Sequence, residues 1–134
     1  MPSPEGKLTP AQHEILEIVW AAKDAGATVT EIWDAIAKNR PVTRTTVLNL
    51  VDRLERRSWL RRKKVAGAFR YLATVDAPTT ARRMAEGFID EFFGGSASEL
   101  VMSLLGGKRL TTAEAQRLRK LLASGEQATQ EEEA

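Results

Sequence analysis

Cysteine is absent from this chain. Disulfides, thiolate metal sites and cysteine nucleophiles are thereby excluded. Histidine occurs once, as His13, so no second imidazole can complete a metal pair. No glycine-rich phosphate loop is present, and no nucleophile stands in view of a base. The reading is therefore of a protein that is not an enzyme and carries no cofactor and no metal. No apolar run approaches the ~18 residues of a membrane span. The opening Met-Pro-Ser-Pro-Glu-Gly-Lys7 has no hydrophobic core of a signal peptide. A cytoplasmic protein without a membrane partner is expected. At 134 residues and 43% apolar, the chain has room for one ordinary domain, or one domain with a small appendage.

What the chain does have is a concentrated positive charge. Ten cations and two acids fall between Arg40 and Arg70, so this segment carries +8. The whole chain carries only +2, which leaves −6 for the remainder. A chain polarised in this way has one electropositive surface, and nucleic acid is the commonest partner for such a surface. The charge is tied to a pattern. Over Thr43–Arg57, Val47, Leu50, Val51 and Leu54 recur at i, i+3, i+4 and i+7, the spacing of a buried helical stripe. Thr45, Asn49, Arg53 and Arg56 fall on the opposite face. Short hydrogen-bonding side chains early in a helix, with guanidinium groups farther along, suit base edges and flanking phosphates respectively.

Four capping boxes punctuate the sequence: Thr9 with Gln12, Thr28 with Glu31, Ser96 with Glu99 and Thr111 with Glu114. The first two predict helices over about 10–23 and 29–38, ended by Gly26 and Pro41. A third helix covers about 44–57. Leu60-Arg-Arg-Lys-Lys-Val65, a short glycine turn and Phe69-Arg-Tyr-Leu-Ala73 then read as a hairpin. Three helices followed by a basic hairpin describe a winged helix-turn-helix domain, expected over residues 8–75. The fold class is mostly α with a small β-hairpin. Trp20 and Trp33 fall on apolar stripes and are expected in the core. Trp59 stands beside Ser58, where a glycine turn would be usual; packing under the hairpin is the favoured expectation, and contact with the sugar-phosphate chain is the alternative. His13 is expected on the surface.

Residues 76–124 predict three more helices, over about 80–93, 97–105 and 112–123. Phe88, Ile89, Phe92, Leu100, Val101, Leu104, Leu118, Leu121 and Leu122 lie on their apolar faces. Roughly fifty residues cannot bury that much apolar surface alone. Sharing a core with a second copy is the economical solution, so these nine residues are the expected dimerisation surface. Residues 125–134 are polar and acidic and are expected to be disordered.

The segments Thr43–Arg57, Leu8–Trp20 and Phe92-Phe-Gly-Gly-Ser-Ala-Ser-Glu-Leu-Val101 together resemble the BlaI/MecI/CopY family, the penicillinase repressors. The resemblance runs from about Leu8 to Leu122. It implies a homodimeric repressor on double-stranded DNA, bound to a palindromic operator. By similarity, Thr43, Thr45, Thr46 and Asn49 contact DNA, with Arg53 nearby. Arg61, Lys63, Lys64 and Arg70 are the wing and backbone contacts, and Arg44 holds a place that varies among relatives. Copper-responsive members carry a C-terminal cysteine cluster, which this chain lacks. Members released by a sensor protease are cut at an Asn-Phe bond, and here the matching pair is Ser103-Leu104. The inducing signal therefore stays open. So do two other readings of the N-terminal domain: a protein-interaction module, and a non-specific architectural DNA binder.

Overall fold

The structure, a computed structural model, describes residues 3–133, with side chains through residue 124. It divides into two units at Ala85/Glu86. The first begins with α1 (Pro10–Ala21) and continues through α2 (Val29–Ala37) and α3 (Arg44–Arg56). A hairpin follows, β1 (Leu60–Val65) and β2 (Ala68–Ala73). The start of each helix follows from its cap. Thr9 Oγ1 accepts from the Gln12 amide at 3.2 Å, and the Gln12 side chain accepts from the Thr9 amide at 3.0 Å. Thr28 and Glu31 repeat that exchange on α2. Such a cap is worth about 1 kcal/mol.

The core lies between the three helices and the root of the hairpin. Ile15 and Leu16 of α1, Ile32 of α2, and Val47, Val51 and Leu54 of α3 are all fully buried. Each is worth about 1.5–3 kcal/mol relative to exposure. Trp20 and Trp33 pack on the edge of this core, half-buried, with their indole N–H groups donating to the carbonyls of Val75 (2.9 Å) and Val42 (2.8 Å). The hairpin is antiparallel and pairs Leu60 with Ala73 and Lys63 with Arg70. A single rung extends it: Ala27, between α1 and α2, exchanges both backbone hydrogen bonds with Tyr71. Gly26 makes that approach possible. It has φ +68°, and a Cβ there would stand 2.6 Å from the Tyr71 carbonyl oxygen.

Helix α4 (Ala77–Phe92) begins three residues earlier than its sequence pattern suggests. Asp76 supplies the reason, because its carboxylate accepts from the Thr79 amide at 2.8 Å and caps the helix. The Thr79 hydroxyl first, and that amide second, hold the Asp76 carboxyl below the usual carboxylate range. Thr80 is fully buried and its hydroxyl donates to the Asp76 carbonyl. The first unit therefore keeps the opening turns of α4 and ends at Ala85, past the expected 75/76 boundary.

The second unit holds the rest of α4, with α5 (Ala97–Gly106) and α6 (Thr112–Glu133). Ser96 caps α5 through the Glu99 amide. The reciprocal Thr111–Glu114 box opens α6, and it holds the Glu114 carboxyl below the usual range. Helix α6 runs to Glu133 instead of ending near Ala123. The side chains of the expected acidic tail over 125–134 lie outside the described residues. Among the described residues, no helix is long and apolar enough to cross a membrane.

Candidate nucleic-acid interface

Helix α3 lies with Val47, Val51 and Leu54 fully buried, and this fixes which side chains look outward. Thr45, Thr46, Asn49, Arg53 and Arg56 are all exposed. Thr43 has a specific structural task. Its hydroxyl oxygen accepts from the Thr46 amide at 3.1 Å and its proton goes to Thr46 Oγ1 at 2.9 Å, so it is the N-cap of α3. Arg44 turns back toward α2, where Nε donates to Thr30 Oγ1 at 3.2 Å and links the two helices of the helix-turn-helix. Thr45 and Asn49 keep their polar groups uncommitted among the described residues. Arg56 is held by Asp52 at 3.2 Å, one turn away.

The hairpin sorts its cations by strand alternation. Arg61, Lys63 and Arg70 stand on one face, and Arg62 and Lys64 on the other. On the first face, Lys63 Nζ donates to the Asp24 carbonyl at 3.0 Å, and Arg70 Nε to that of Ala25 at 3.0 Å. Arg70 Nη2 also meets Glu31 at 2.7 Å. These two cations fasten the hairpin to the connector before α2. Arg70 is half-buried here, at the neck of the wing. On the second face, the Arg62 guanidinium lies 4.3 Å from the Phe69 ring centroid and Lys64 Nζ lies 5.9 Å from it. Arg62 also meets Glu55 of α3 at 3.5 Å. It is not among the expected contacts, although the alternation that pairs it with Lys64 is visible in Arg61-Arg-Lys-Lys64. Arg61 is exposed beside an open cavity of about 270 Å³ lined by Trp20, Lys23 and Leu72.

The junction between α3 and β1 is held by several long-range bonds. Ser58 has φ +65°, with its amide donating to Glu55 and the Trp59 amide to Leu54. This is the left-handed helix ending that glycine normally provides. Trp59 is buried, and its indole N–H donates to the Glu5 carbonyl at 3.0 Å. The Arg57 guanidinium donates to the carbonyls of Glu5 and Lys7 and to the Gln12 side chain. An N-terminal segment around Glu5–Lys7 thus straps the end of α3. His13 is half-buried, 2.8 Å from Glu17 and edge-on to Trp20.

In the second unit, none of the described side chains from Glu86 to Ser124 is buried. Phe88, Phe92, Leu104, Leu121 and Leu122 are exposed, Phe92 to 64%, while Ile89, Leu100, Val101 and Leu118 are half-buried. Phe88 lies 5.0 Å from Phe92 and 5.7 Å from Phe93, ring to ring. Ser103-Leu104 lies inside α5, and both carbonyls accept backbone hydrogen bonds, from Gly107 and Arg109. A protease would have to unwind that turn to reach the bond.

Three helices, a hairpin wing and an outward polar helix face define a DNA-binding regulator of the winged helix-turn-helix class. Within that class, the chain belongs to the penicillinase repressor family, whose family model matches residues 8–124. It is similar to the penicillinase repressor of Staphylococcus aureus, with 24% identity across 91% of this chain and 95% of that one. It is also similar to the methicillin resistance regulatory protein MecI of Mammaliicoccus sciuri, with 26% identity across 87% and 93% of the two chains. Among solved structures it resembles MepR, a transcription regulator of the Staphylococcus aureus multidrug efflux pump MepA. There the TM-score is 0.50 at 22% identity, covering 92% of this chain and 81% of that one. A mutant MepR from a multidrug resistant S. aureus clinical isolate superposes at a TM-score of 0.51 and 22% identity, over 92% of this chain and 80% of its own. At this level of identity the likeness concerns the fold.

Proposed function

We propose that the protein is a non-enzymatic transcriptional repressor that binds an inverted-repeat operator as a homodimer. The observation that carries this reading is the exposed Thr45–Asn49 face of a helix whose opposite face is sealed in the core, set beside a cationic hairpin. Thr45 and Asn49 read base edges in the major groove. Thr46 lies beside them, and Arg53 meets the phosphates that border the groove. Arg61, Arg62 and Lys64 meet the backbone from the wing, which adds affinity and register without sequence choice. Thr43, Arg44, Lys63 and Arg70 contribute mainly by holding α3 and the wing in place. The exposed apolar surface of the second unit supports a dimer, because Phe88, Phe92, Leu121 and Leu122 would gain a dry environment against a second copy. Release by a sensor protease at Ser103-Leu104 has less support, since that bond is helical.

Selection of duplexes from a random pool, followed by titration at rising salt, tests the proposal. One palindromic sequence should emerge and bind far more tightly than random DNA. Six to ten phosphate contacts should cost roughly three to five decades of affinity between 50 and 200 mM salt. Equal affinity for every duplex would leave an architectural binder. No binding at low salt would leave a protein-docking module.

A further inference from the structure

Leu48 is the one exposed large hydrophobic residue on α1, α2 or α3 among the described residues, at 40% exposure. It lies one residue before Asn49 and a turn beyond Thr45, on the margin of the outward face of α3. Its aliphatic neighbours on the helix, Val47, Leu50 and Val51, are turned inward. Scattered surface leucines are ordinary. This one is set within a polar face that the proposed function directs into a major groove. The only apolar group on a base edge in that groove is the 5-methyl of thymine.

Resting on that proposed function, we infer that Leu48 is a specificity-determining residue that packs against a thymine methyl in each half-site. Hydrogen-bond donors and acceptors on Thr45 and Asn49 distinguish bases by polarity. Leu48 adds a contact that cytosine, purines and uracil cannot match. The chemistry separates this contact cleanly from the others, because uracil keeps every polar group of thymine and lacks only the methyl.

The test uses the full chain and its selected duplex, with symmetric pairs of thymines replaced by deoxyuridine one pair at a time. Binding is measured by fluorescence anisotropy for the native protein, for Leu48→Ala, and for Thr45→Ser, which removes the methyl group one turn before Leu48. Alanine favours the helix and Leu48 is outside the core, so Leu48→Ala folds. Burial of one methyl is worth about fourfold in affinity, hence roughly fifteenfold for a symmetric pair. One pair should show that loss in the native protein and in Thr45→Ser, and lose it in Leu48→Ala. Indifference of the native protein to uracil at every thymine overturns the inference, as does a uracil penalty that survives in Leu48→Ala. If selection yields no preferred duplex, the operator reading fails and this one fails with it, an outcome distinct from the other two.

Discussion

At the scale of single residues, the separation of tasks on α3 is the main finding. Thr43 and Thr46 spend their hydroxyls on each other and on the helix start, whereas Asn49 stays exposed without a partner among the described residues. Asn49→Ala is therefore expected to fold normally and to lose discrimination between operator and non-operator DNA, by about 1–3 kcal/mol per half-site. Competition binding against a scrambled duplex measures this. Ser58 is a second residue whose conformation matters more than its chemistry. A non-glycine residue at φ +65° carries a steric cost of about 1 kcal/mol. Ser58→Gly should raise stability by up to about that amount, read as a higher midpoint in urea. Asp76 adds a pH dependence. Its folded carboxyl is held below the usual value by the Thr79 hydroxyl and amide. The contribution to stability is thus present above the ordinary carboxylate pKa and is lost as the pH falls through the depressed folded value. Acid unfolding of Asp76→Asn should lack this component, and an NMR titration of the Asp76 carboxyl should report the lowered midpoint directly.

At the scale of elements, the turn before α2 governs how the wing attaches. Gly26 lets Ala27 reach Tyr71, and the neighbouring carbonyls of Asp24 and Ala25 receive Lys63 and Arg70. A side chain at position 26 meets a backbone oxygen, which cannot move aside cheaply. Gly26→Ala should cost at least about 2 kcal/mol and loosen the wing. Thermal unfolding together with hydrogen exchange at Tyr71 would check both effects. The elements themselves are largely legible in the sequence. Every reciprocal cap between Thr and Gln or Glu opens a helix, because that chemistry is local. The start of α4 escapes the pattern for an equally local reason: Asp76 caps through Thr79, and no Glu or Gln stands at that position to advertise it.

At the scale of the whole molecule, charge and apolar surface are segregated along the chain. Cations crowd the Arg40–Arg70 segment, while the second unit leaves Phe88, Phe92 and Leu121 in contact with solvent. Under the proposed function, a second copy would cover these side chains. Phe92→Glu removes apolar area from the surface of the second unit and adds charge there. If the proposed dimer forms through this surface, the substitution should leave a monomer in light scattering. It should also weaken operator binding by orders of magnitude, because the two half-sites would then bind independently.

The helices, the hairpin, the polar face of α3 and the apolar faces of the second unit all follow from the order of residues along the chain. Each depends on periodicity and capping over fewer than about fifteen residues, and such rules act between near neighbours. Roles that depend on partners distant in the chain were decided only by folding. Arg70 is met by Glu31 and the Ala25 carbonyl, and the indole of Trp59 by the Glu5 carbonyl, contacts that no local pattern shows. The hairpin register brings the Arg62 guanidinium over Phe69 of the other strand. A side chain's direction is settled by the nearest group that satisfies its charge or its hydrogen bond, and packing brings that group across gaps of about forty to fifty residues.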